Sequence, residues 1–188
     1  MPIYTTGNVI KRGEMWCDDA DEITQNALES AGYDWNSEWP IQFGLDTCGL
    51  GNALLALGAP LPRYKVKARE VEIKYLKYLY DVAVQIACRH GFTITDTKAW
   101  LDREDRQVSC LAYAKMWIEI KQCAENTGME QLASAMTLIY SADKSYMLRN
   151  VMATRYLATG QRLLEGEAAS HETISNLKDY LRKELDNV

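Results

Sequence analysis

The stretch from about Lys65 to Arg89 constrains this chain most, because its apolar residues recur at the 3.6-residue period of a helix without interruption. Ala68, Val71, Tyr75, Leu76, Leu79, Val82, Ala83 and Ile86 fall on one face, with Glu70, Lys74, Lys77 and Asp81 opposite. Glu70 and Lys74 add a favourable i,i+4 pair. A second stripe of Ile73, Tyr80 and Val84 lies beside the first and must face another helix, the N-terminal region or a partner. Only the start is ambiguous: residues 63–68 alternate polar and apolar, which is strand periodicity, so strand and helix both remain open there.

Pro60 and Pro62 precede this segment, and composition changes with them. All four prolines and seven of the eleven glycines lie before residue 63. We therefore expect an irregular, turn-rich lobe over residues 1–62 and a helical body over 63–188. Within the lobe, carboxylates at Asp18, Asp19, Asp21 and Glu22 suit a helix start, and Ile23, Ala27, Leu28 and Ala31 continue it to a stop at Gly32. Residues 33–40 read as a loop anchored by Trp35 and Trp39, and a short helix runs from about Leu50 to Leu57.

Within the body, Gly91 ends the first helix. Asp96 is placed to cap another that passes through Trp100, Val108, Leu111 and Trp117 and stops at Gly128. Met129–Tyr140 follows, with Leu132, Met136 and Ile139 as its stripe. A helix starting near Asp143 then runs towards Gly166. Ser170 is expected as the N-cap of the last helix, whose stripe is Ile174, Leu177, Leu181 and Leu185. The expected fold is all-α, about six helices in an irregular bundle; a mixed fold with a small sheet from residues 1–10 and 63–68 is the fallback.

The net charge of −5 argues against a protein whose main task is to coat nucleic acid. No apolar run is long enough to span a bilayer, and residues 1–7 show no basic region followed by an apolar stretch. Five cysteines, an odd number with no export signal, point to reduced thiols. These features predict a soluble protein of the cytoplasm, or of the host cytoplasm or virion if the chain is viral.

The chemical motifs are weak. Cys88 and His90, with Cys48 or Cys110, are the residues from which a zinc site would be built, but paired C-x₂₋₄-C spacing is missing. His90 and His171 are better read as helix-terminal and surface residues. Cys48-Gly49-Leu50-Gly51-Asn52 lacks both the dinucleotide fingerprint and the P-loop lysine, and reads as a tight turn into a helix. A calcium loop begun at Asp19 would put Ile23 and Thr24 at the wrong positions. Asp102-Arg103-Glu104-Asp105-Arg106 reads as a solvated, mutually paired helix face rather than acid–base machinery. No catalytic, cofactor-binding or metal-ligating residue is assigned, and no cofactor is expected.

One basic run stands out: Arg63, Lys65, Lys67 and Arg69. These residues share a face only if the segment is a strand, and Glu70 and Glu72 dilute them at once. Five tryptophans and eleven tyrosines exceed what the helix stripes require. Aromatic residues dominate protein interfaces, which makes Trp16, Trp35, Trp39, Ile73, Tyr80 and Val84 the candidate interface residues. In outline, the turn-rich N-terminal third, the Pro-rich boundary and the helices after it resemble the small helical adaptors that join head and tail in phage particles. That resemblance implies an assembly role. The expected function is a non-enzymatic interaction or assembly protein, a virion component or a mobile-element regulator, acting in an oligomer or stable complex. The alternatives are a nucleic-acid-associated regulator using residues 63–69 and a small enzyme with a carboxylate site.

Overall fold

A computed structural model describes residues 2–7, 18–91, 127–140 and 146–188. The fold is all-α. Among the described residues there are seven α-helices: α1 (Asp18–Ser30), α2 (Ile41–Thr47), α3 (Gly49–Gly58), α4 (Lys65–Arg89), α5 (Thr127–Tyr140), α6 (Tyr146–Glu165) and α7 (Glu167–Asp186). Two short strands, β1 (Tyr4–Thr5) and β2 (Trp39–Pro40), pair antiparallel, with Tyr4 opposite Pro40 and Thr5 opposite Trp39. A 3-10 turn over Pro62–Tyr64 leads directly into α4. The ambiguous segment 63–68 is therefore helical, and β1 takes its partner from residues 39–40 instead. Proline at the first position of the 3-10 turn favours this outcome, since its fixed φ is preorganised for helix entry.

The chain forms two compact units that do not follow the change in composition near residue 63. One comprises Met1–Tyr75, Tyr146–Val151 and Ser175–Val188; the other comprises Leu76–Ser145 and Met152–Ile174. Helices α4, α6 and α7 each contribute residues to both. Packing groups residues by proximity in space, whereas composition marks only where turns are frequent.

In the first unit Ile3, Leu28, Trp39, Ile41, Leu45, Leu54, Tyr75, Leu177 and Leu181 are all nearly inaccessible. The β1 region is held along both edges. Ile3 C=O accepts from Ile41 N–H at 2.9 Å, Tyr4 C=O from Leu61 N–H at 3.0 Å, and Trp35 C=O from Gly7 N–H at 3.0 Å. The buried Thr5 hydroxyl donates to Ala59 C=O at 2.7 Å. Buried backbone groups demand such partners. Helix α2 is absent from the pattern expected of the sequence, because seven residues with a central Gly44 give too little periodicity to read. Gly44 nonetheless suits the site, since a Cβ there would lie 3.1 Å from the Trp39 ring.

In the second unit the stripe of α5 is as expected, with Leu132, Met136 and Ile139 buried, and Leu79, Tyr80, Ala83 and Ile86 of α4 are buried as well. Gly128 does not terminate a helix; it lies in the first turn of α5. There it meets Gly160 of α6 so closely that a Cβ on Gly128 would sit 2.7 Å from Leu164 Cγ, and one on Gly160 would sit 2.8 Å from Gly128 C=O. Two glycines thus allow the backbones of α5 and α6 to touch. Ser170 also departs from expectation. Helix α7 begins at Glu167, three residues earlier, after Gly166 turns the chain at φ 94. The Ser170 hydroxyl instead donates to Ala158 C=O of α6 at 2.9 Å. The expected helix through Asp96, Trp100 and Trp117 lies outside the described residues.

Gly160→Ala should lower stability by about 1–3 kcal/mol, because the backbone of α5 blocks the added carbon. Gly51→Ala, inside α3 with nothing within 4 Å of the new Cβ, should raise it by about 0.5–1 kcal/mol through lost unfolded-state entropy. Urea denaturation of the two variants beside wild type measures both effects.

Candidate functional site

Among the described residues, buried or part-buried carboxylates gather several donors at Glu72 in the first unit and at Glu165 in the second. In the first unit, Glu72 is only 5% exposed. Its carboxylate accepts from Arg69 Nη1 at 2.5 Å, one turn earlier on α4, and from Asn150 Nδ2 of α6 at 2.9 Å. Asn150 is wholly buried. A carboxylate taken out of water needs such donors. Glu72 stands four residues from both Ala68 and Leu76, on the buried stripe of α4, and that position was the signal available in the sequence.

In the second unit, Glu165 closes α6. Its carboxylate receives a bidentate pair from Arg89, Nε to Oε1 at 2.8 Å and Nη2 to Oε2 at 2.9 Å. Gln161 Nε2 donates to Oε2 at 2.8 Å, and His90 Nε2 lies 3.3 Å from Oε1. The Gln161 side chain is buried, and its amide oxygen has no hydrogen-bond partner among the described residues. The Arg89 hydrogen bonds, helped by Gln161 and His90 and opposed by partial burial, pull the Glu165 carboxyl down to about 2. Arg89 is correspondingly raised. An acid held this firmly ionised is a poor proton shuttle near neutral pH, where a general acid or base works best. The cluster therefore clasps the ends of α4 and α6 together, offsetting the unfavourable placement of a carboxylate at a helix C-terminus.

The basic run is dispersed. Arg63 pairs with Glu38 and lies 4.9 Å from the centroid of the Tyr64 ring, Lys67 Nζ donates to Val188 C=O at 2.8 Å, and Arg69 is committed to Glu72. Lys65 is exposed at the start of α4. Helical geometry spreads the four around the axis, and three of them already hold partners within the chain. Lys74 and Arg182 do likewise, with Glu184 at 2.8 Å and Asp46 at 2.5 Å.

Of the candidate interface residues, Trp39 and Tyr80 are each 1% exposed and are buried within the chain's own core. Trp39 sits edge-on to Phe43 at 6.4 Å, and Tyr80 is carried inward with Leu79 and Ala83 by α4. The second stripe of α4 is thus partly internal. Trp35, Ile73 and Val84 are half-buried, and Trp16 lies outside the described residues. The Trp35 ring covers Gly7 so closely that no Cβ fits there.

Among the described residues no group of three or more His, Cys, Asp or Glu side chains is arranged to hold a metal. Cys48 is half-buried and Cys88 exposed, both as free thiols; Cys17, Cys110, Cys123 and the 102–106 charge cluster lie outside the described residues. Residues 18–30 are helical, which replaces any calcium loop begun at Asp19. At Cys48-Gly49-Leu50-Gly51-Asn52, Gly49 has φ 86 and the Asn52 amide donates to Cys48 C=O at 3.1 Å, a turn closed by its own side chain. His171 is exposed, 3.8 Å from Glu167. No described helix is long and apolar enough to cross a membrane.

Among the described residues, α6 also carries an apolar surface stripe. Met152, Tyr156, Thr159 and Leu163 recur at i, i+4, i+7 and i+11 on α6, on the side away from buried Ala153, Leu157 and Gln161. The first three are half-buried and Leu163 is 51% exposed. Arg155 and Arg162, both exposed, flank the stripe. In the first unit, Val66 at the start of α4 is 73% exposed. No protein-family model matches the chain, and no curated protein or solved structure matches it either.

Two outcomes follow from the carboxylates. Glu165 is ordinarily near 4.5 and lies near 2 when folded, so its stabilisation is full above about pH 4.5 and disappears as pH falls towards 2. Glu165→Gln should therefore lose stability at pH 7, and its deficit relative to wild type should close between those two pH values, as followed by urea midpoints across the range. Glu72→Ala should cost about 2–3 kcal/mol, because it removes an acceptor from the buried Asn150 amide and a counter-charge from Arg69. Glu72→Gln, which keeps an acceptor for Asn150, should cost less in the same assay.

Proposed function

We propose that the chain is a non-enzymatic protein–protein interaction or assembly protein, of the kind used as a virion structural or adaptor component or as a mobile-element regulator, and that it acts through self-association. The observation that carries this reading is the stripe on α6. A helix on a surface needs one apolar face, and α6 already buries Ala153 and Leu157 on another side. Met152, Tyr156 and Leu163 remain partly open to solvent, rimmed by Arg155 and Arg162. An aromatic and two flexible aliphatic side chains edged by arginine have the make-up of an interface centre with a charged rim.

The polar clusters support the same reading from the other direction. Glu72 and Glu165 have their oxygens engaged by donors from within the chain, which suits holding helices in place rather than meeting a substrate. The basic residues at 63, 67 and 69 are similarly engaged, which weighs against a phosphate-binding role for that segment.

Light scattering coupled to size exclusion at low micromolar concentration tests the proposal. Wild type should elute as a species heavier than the 21.4 kDa chain. Leu163→Glu should return it to the single-chain mass while far-UV circular dichroism stays unchanged. A wild-type protein at the single-chain mass, or an unaltered assembly in the variant, would overturn self-association through this face.

A further inference from the structure

We draw no further inference here: the strongest candidate, the partly exposed apolar face of α6 around Tyr156 and Leu163, already stands behind the proposed function, and nothing in the structure shows what covers it.

Discussion

The first unit depends on satisfying one buried backbone segment. Residues 3–7 are largely buried, with Ile3 and Thr5 nearly inaccessible and Tyr4 half-buried, so their amide and carbonyl groups need partners within the chain. The partners come from residues 35, 41, 59 and 61, which otherwise look like loose connections between helices. The two-residue sheet is the visible part of this arrangement. Its importance lies less in strand pairing than in tying turn-rich segments to a shared core. Helix α2 follows from it, since Ile41 donates to Ile3 and then continues into the helix that buries Leu45.

Carboxylates organise the helices in a related way. Glu72 joins α4 to α6 through Asn150, Glu184 joins α7 to α4 through Lys74, and Glu165 joins α6 to the end of α4 through Arg89. Burial gives these pairs unequal weight. Glu72 sits where an unpaired charge would be expensive, so its donors are obligatory. The Lys74 and Arg89 side chains are more than half exposed, and salt and solvent screen them accordingly. The close approach at Gly128 and Gly160 is different in kind: it contributes by letting surfaces meet rather than by attraction.

On the proposed reading, the protein acts through a surface, the apolar stripe of α6, and the described polar clusters hold helices together. Arg63, Lys67 and Arg69 of the basic run hold partners within the chain, while the apolar stripe on α6 is left partly wet. That stripe was not among the candidate interface residues, because Met152 reads as part of a helix core and Thr159 interrupts the apolar pattern. Trp39 and Tyr80 were among them, and the fold draws both inside. Aromatic content indicates that large side chains must be covered; it does not say whether the cover is the chain itself or a partner.

The sequence by itself determined the all-α class, α4 and most of its buried stripe, the stripe of α5, Leu177, Leu181 and Leu185 of α7, and the glycine that turns the chain between α6 and α7. Each rests on local periodicity or on a backbone conformation that few residues adopt, and neither needs knowledge of a distant neighbour. Only the tertiary structure decided that residues 63–68 are helical, that Gly128 is a point of helix contact, that Ser170 bonds to α6 instead of capping α7, and that Glu72 and Glu165 are the principal charged anchors. Pro62 settles the first locally, but for Gly128, Glu72 and Glu165 the deciding partner lies far along the chain: Gly160, Asn150 and Arg89. A residue's own type and spacing carry no record of which distant side chain will arrive beside it.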